Sequence, residues 1–133
     1  MRYLLDTHIA MWFLNGSKKP LKEAFDIIVD SRNQIYYSTL SSWEIEIKRL
    51  KTESFTFSGK MYSFLCDNSN FINLPLTNKD IEMLEDVEKE NENHIHNDPF
   101  GKMLLAQAMA QDMVLITHDQ KFKQYKNNHV MVI

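Results

Sequence analysis

The constraint that most limits the fold is an alternation of short strand-like runs with longer helical stretches along the whole chain. "RYLL" (2–5), "QIYYS" (34–38), "FINLPL", "MVLITH" and "VMVI" are brief and rich in β-branched and aromatic residues. Between them lie segments with apolar residues at helical spacing: "IAMWFL" after Asp6 or Thr7, residues 20 to 31, "TLSSWEIEIKRLK", residues 58 to 67, "TNKDIEMLEDVEKE" behind a Thr77 or Asn78 cap, Pro99 to about Asp112, and a short piece around "QKFKQY". "FTF" reads as a small extended piece and "NGSKKP" as a break. Strands separated by helices must pair in parallel through right-handed crossovers, which predicts a three-layer α/β domain. In such sheets the functional crevice opens beyond the carboxyl ends of the strands.

Size and charge narrow the possibilities. A length of 133 residues with 44% apolar content suits a single domain, 1–133, with a substantial core. "YLLD" is too short for a signal or membrane segment, so a cytoplasmic protein without membrane attachment is expected. One cysteine, Cys66, excludes an internal disulfide and a cysteine zinc site, leaving oxygen or histidine to bind any metal. Residues 80 to 92 carry seven acids and one lysine, a charge of −6 against a total of −3, so the remainder sums to +3. Basic residues gather at Lys18, Lys19 and Lys22, at Lys48, Arg49 and Lys51, and at Lys121, Lys123 and Lys126, either as solvated helix surface or as a face for nucleic acid.

The strand-end rule selects a few of the 18 acids. Asp6 follows the first strand, and Asp119 lies two residues beyond "VLIT". Glu44 emerges within an expected buried stripe of Leu40, Trp43, Ile47 and Leu50, where a carboxylate needs a cation, either Lys48 one turn on or a metal. Asp98 precedes Pro99 as an N-cap and N1 pair, and capping also accounts for Asp6 and Asp119 taken singly. Three or four carboxylates on one rim are unfavourable together unless protonated or neutralised by a divalent cation. An oxygen-only set suits Mg²⁺ or Mn²⁺. Such a centre fits metal-assisted phosphodiester hydrolysis. A phosphoacceptor domain would need a lysine at the rim, which the sequence does not place there.

Four blocks, "YLLDTHIAMWFL", "SSWEIEIK", "HNDPFGKMLLAQA" and "LITHDQKFKQY", in this order and spacing resemble the PIN-domain ribonucleases, specifically the VapC-like toxins of type II toxin–antitoxin systems. The resemblance implies a PIN-like fold with a parallel sheet of four to five strands flanked by helices, and a Mg²⁺- or Mn²⁺-dependent endoribonuclease. It also implies an RNA substrate, a cognate antitoxin and a homodimer. Asp6, Glu44 and Asp119 correspond to the first, second and fourth metal-binding acids, with Asp98 as a further catalytic or metal-binding candidate. Thr7, Thr117 and His118 are the expected substrate-side residues, the threonines steadying metal water or carboxylates.

The related toxins tend to read D-P-F-D where this chain reads "DPFG", which puts Gly101 at the third acidic position. A helix-interior glycine costs up to about 1 kcal/mol relative to alanine, and an acid in the first turn would gain about 0.3–1 kcal/mol from the helix dipole. Three explanations stay open: close packing, natural loss of an acid leaving a weak or inactive nuclease, or a disabling substitution selected in an expression host. An inactive PIN-fold module that binds an antitoxin or RNA is the alternative function. His94 and His96 lie in the polar stretch "NENHIHND" and read as solvated loop residues. His8 lies beside the rim within reach of phosphate. Met103, Met109, Met113, Trp12 and Trp43 read as core.

Overall fold

A computed structural model describes residues 1–16 and 21–133. Lys18 and Lys19, and most of the expected "NGSKKP" break, lie outside the described residues. The chain runs β1 (Arg2–Leu5), α1 (Thr7–Leu14), α2 (Lys22–Val29), β2 (Gln34–Ser38), α3 (Thr39–Lys51), α4 (Gly59–Asn68), β3 (Ile72–Leu74), α5 (Asn78–Glu82), α6 (Leu84–Glu90), α7 (Pro99–Gln111), β4 (Val114–Thr117) and β5 (Val130–Val132), with 3₁₀ turns at Glu92–His94 and Gln120–Gln124.

All pairings are parallel, in the order β3-β2-β1-β4-β5. Tyr3 pairs with Ile35 on one side of β1, and Leu5 with Ile116 on the other. Alternation along the strands divides the interior into two cores. Tyr3, Leu5, Ile35, Tyr37 and Ile116 face one core with Ile9, Ala24, Ile45, Tyr62 and Cys66; Leu4 and Leu115 face the other with Leu104, Leu105, Ala108, Val87 and Phe122. Leu4, Leu5 and Leu115 have no exposed surface, each burial stabilising by about 1.5–3 kcal/mol. The chain leaves β1 toward β2 on one side and returns to β4 on the other. The β1/β4 boundary is therefore the topological switch point, where a crevice opens.

Several expectations are corrected. "FTF" forms no strand. The acidic helix is two helices broken at Met83: Thr77 and Asp80 close a capping box that starts α5, which ends at Glu82 before α6 begins at Leu84. Asp80 is buried there, accepting from the Gln107 and Gln111 side-chain amides of α7. The buried side of α3 is Leu40, Ser41 and Ile45; Trp43 and Leu50 are 58% and 71% exposed. The helix packs on α4 and α7, which cover that side and leave Trp43 exposed, in edge-to-face contact with Phe100 at a centroid distance of 5.3 Å. On α2, Ala24 is buried while Phe25 and Val29 are exposed.

Candidate metal centre

Asp6 stands at the N-cap of α1, yet its side chain caps nothing. Its Oδ2 instead accepts a hydrogen bond of 2.6 Å from the Thr117 hydroxyl at the end of β4. The same hydroxyl oxygen accepts from the Asp119 backbone N–H at 3.1 Å. One buried threonine thus joins the two strand ends. Thr7, also buried, does the equivalent for α3: its hydroxyl lies 2.8 Å from both Glu44 Oε1 and Ser41 Oγ. Because an ionised carboxylate only accepts, Thr7 donates to Glu44 and takes its own hydrogen bond from Ser41.

The remaining acids behave differently. Asp98 Oδ1 caps α7 through the Phe100 N–H, and Asp119 Oδ1 caps the Gln120–Gln124 turn through the Lys121 N–H. Each cap engages one oxygen and leaves Oδ2 to the site. Capping and a site role are therefore compatible, one per oxygen.

Asp6, Glu44, Asp98 and Asp119 line one cleft of about 250 Å³ together with His8, Trp12 and His118. Among the described residues no lysine belongs to that lining; Lys48 stands 3.8 Å from Glu44 Oε2. Burial pushes the Asp6 carboxyl above the ordinary carboxylate range. The Thr117 hydroxyl and His8 pull it back, and the nearby Glu44 charge pushes further up. The Thr7 and Thr117 hydroxyls sit behind the carboxylates and not on the cleft surface, so of the expected substrate-side residues only His118 faces the opening. His118 packs edge-on against Trp12, ring centroids 5.4 Å apart, and its Nδ1 meets the Ile133 carbonyl.

Among the described residues, no three histidine, cysteine or acidic side chains already stand close enough to ligate a single ion. The four carboxylates share a cleft, not a point. Their chemistry nevertheless fits a hard divalent cation: the donors are all oxygen, and one is a desolvated carboxyl whose ionised form a cation would favour.

His96 overturns its sequence reading. It has no exposed surface, because Asn91 grips its backbone from both sides and Phe122 and Tyr125 enclose its ring. Burial pushes its pKa below the ordinary histidine value, while Asp119 and Asp98 pull upward. His94 is exposed, as expected, and stands 3.7 Å from Glu88. Close packing also accounts for Gly101: a Cβ there would meet Asp98 Oδ2 at 3.0 Å, Phe122 Cζ at 3.1 Å and His96 Cε1 at 3.3 Å. Nothing local in "NENHIHND" signals this burial. The aromatic pair in "QKFKQY" that encloses His96 was the available clue.

A parallel α/β sheet with an acidic cleft at its switch point defines the class. The sequence matches the PIN domain family over residues 3–128, and the chain belongs to that family. No curated protein matches it. Solved structures share its fold at low identity. VapBC2 from Rickettsia felis, bound to a DNA fragment from its promoter, superposes with a TM-score of 0.73 at 17% identity over 100% of this chain and 99% of its own. VapBC-1 from nontypeable Haemophilus influenzae gives 0.72 at 15%, covering 99% and 98%. A toxin–antitoxin complex from Klebsiella pneumoniae gives 0.65 at 18%, covering 98% and 96%. No helix among the described residues is long and apolar enough to cross a membrane.

Proposed function

We propose that this PIN domain is a VapC-like toxin, a metal-dependent endoribonuclease that hydrolyses RNA phosphodiester bonds in the cytoplasm. The observation that carries the reading is the convergence of Asp6, Glu44, Asp98 and Asp119, from four separate elements, on one cleft at the switch point. Asp6, Glu44 and Asp119 would hold Mg²⁺ or Mn²⁺, with Asp98 a fourth oxygen donor. When bound, the cation supplies charge neutralisation at a phosphoryl oxygen and acidifies water. Thr117 fixes Asp6 relative to Asp119, and Thr7 fixes Glu44, so the acids are held before substrate arrives. His118 and Trp12 offer a ring surface beside the carboxylates, suited to a nucleotide base or its phosphate. Water adds to phosphorus as the 3′ oxygen departs with a proton, leaving 5′-phosphate and 3′-hydroxyl ends.

The solved relatives in fold are toxin–antitoxin assemblies, which supports a cognate antitoxin as partner; homodimerisation belongs to the same reading. The test is RNA cleavage with Mg²⁺ or Mn²⁺ by the wild type and by Asp6→Asn. Loss on the order of 10²-fold or more is expected for the variant. Equal rates overturn the assignment.

The lack of an acid at residue 101 favours a second reading, in which the domain binds an antitoxin or RNA without cutting. Antitoxin binding with no metal-stimulated cleavage selects it.

A further inference from the structure

The loop before α7 and the glycine in its first turn form one packed unit, and that unit bears on Asp119. Asn91 Nδ2 donates to the His96 carbonyl at 2.8 Å, and the His96 N–H donates to Asn91 Oδ1 at 3.1 Å. The imidazole packs edge-on against Phe122, centroids 4.5 Å apart. Its Cε1 would be 3.3 Å from any Cβ at residue 101, which is closer than such atoms ordinarily approach. The imidazole fills space that a side chain at residue 101 would crowd. Glycine and histidine are one feature.

The hydrogen bonds favour one ring nitrogen as the carrier of the proton. The Tyr125 hydroxyl lies 2.9 Å from His96 Nδ1, its one hydrogen-bond partner among the described residues. A buried phenol must donate to something, so Nδ1 accepts and the proton resides on Nε2. That Nε2 is buried, has no hydrogen-bond partner among the described residues, and stands 3.7 Å from Asp119 Oδ2. The gap exceeds a hydrogen bond; the Asp119 side chain is 37% exposed, and its cap to the Lys121 N–H engages Oδ1 and leaves Oδ2 facing the imidazole.

We propose that His96 is a positioning residue of the acidic cleft, presenting an Nε2–H to Asp119 in the space that Gly101 leaves open and so aiming that carboxylate at the cation. The inference rests on the metal-centre reading for its consequence, though not for its geometry. A chain with an acid at 101 would place another negative charge here; this one places a donor. Removing a hydrogen-bond partner of a ligating carboxylate weakens metal affinity about 10- to 100-fold.

The experiment has two arms. In ¹⁵N-labelled, metal-free protein at neutral pH, the His96 side chain is expected to carry its proton on Nε2, a preference that Tyr125→Phe abolishes. Mn²⁺ affinity, followed by electron paramagnetic resonance, is expected to fall about 10- to 100-fold in His96→Leu. It is expected to stay near wild type in His96→Gln, whose amide N–H replaces Nε2–H. A proton on Nδ1, equal Mn²⁺ affinity in all three proteins, or direct nitrogen coupling from His96 to Mn²⁺ overturns the proposal. If the wild type binds no Mn²⁺, the metal-centre reading fails and the proton position alone decides the role of His96. The expected proton position and Mn²⁺ ranking without RNA cleavage uphold the role of His96 and sink the nuclease reading alone.

Discussion

Asp6 shows how one hydroxyl changes the use of a residue. As an N-cap it would stabilise α1; held by Thr117, it is a desolvated carboxyl beside Glu44 instead. A carboxyl whose pKa is higher in the folded chain binds its proton more tightly there, so ionisation opposes folding. That penalty is absent below the ordinary value of 3.8 and grows as pH rises through the raised folded value. Asp6→Asn, melted in EDTA, is therefore expected to be more stable than wild type at neutral pH by on the order of 1 kcal/mol, the gain vanishing in acid. Gly101→Ala is expected to lose about 1–3 kcal/mol by overpacking against Phe122 and His96, despite the better helix propensity of alanine. Adding His96→Ala frees that space. The double variant should be less destabilised than the sum of the singles by about 0.5–3 kcal/mol in chemical denaturation, and strict additivity would refute the packing account. The four acids were legible because strand ends and helix starts are marked by residue type. His96 was not, since its burial comes from Asn91, Phe122 and Tyr125, which no local pattern ties to it.

At the scale of elements, strand and helix order was legible and the facing of helices less so. Periodicity locates α3 correctly, but of its Leu40, Trp43, Ile47 and Leu50 stripe only Leu40 is buried, and the covered side runs through Ser41 and Ile45 instead. What covers α3 is α4, and the decisive residue is Gly59: a Cβ there would meet the Ser42 carbonyl at 2.5 Å. Backbone cannot yield as a side-chain tip can. Gly59→Ala is expected to cost about 1–3 kcal/mol in thermal melting. Because α3 carries Glu44, the shift should also weaken Mn²⁺ binding, whereas Lys60→Ala, an exposed neighbour on α4, should alter neither. The division of the acidic segment into α5 and α6 was equally hidden, as was the burial of Asp80 against the Gln107 and Gln111 amides of α7.

Across the whole molecule, parallel pairing follows from the alternation and sets Asp6 and Asp119 at strand ends on one rim, whereas the strand order, and with it the switch point, depends on contacts between distant segments that no local pattern encodes. The sole cysteine offers a probe of that whole. Cys66 has no exposed surface, packs in the same core as Leu5 and Ile116, and burial pushes its thiol up to about 12. Thiol labelling of the native protein at pH 8 is expected to proceed no faster than unfolding, and to accelerate in step with denaturant. Rapid native labelling would show that the core beside the site opens locally. The bridge from Thr117 to Asp6 spans nearly the full length of the chain. A ribosome must have made and released β4 before Asp6 can be fixed in place, so a partly synthesised copy that lacks β4 holds its acids unassembled.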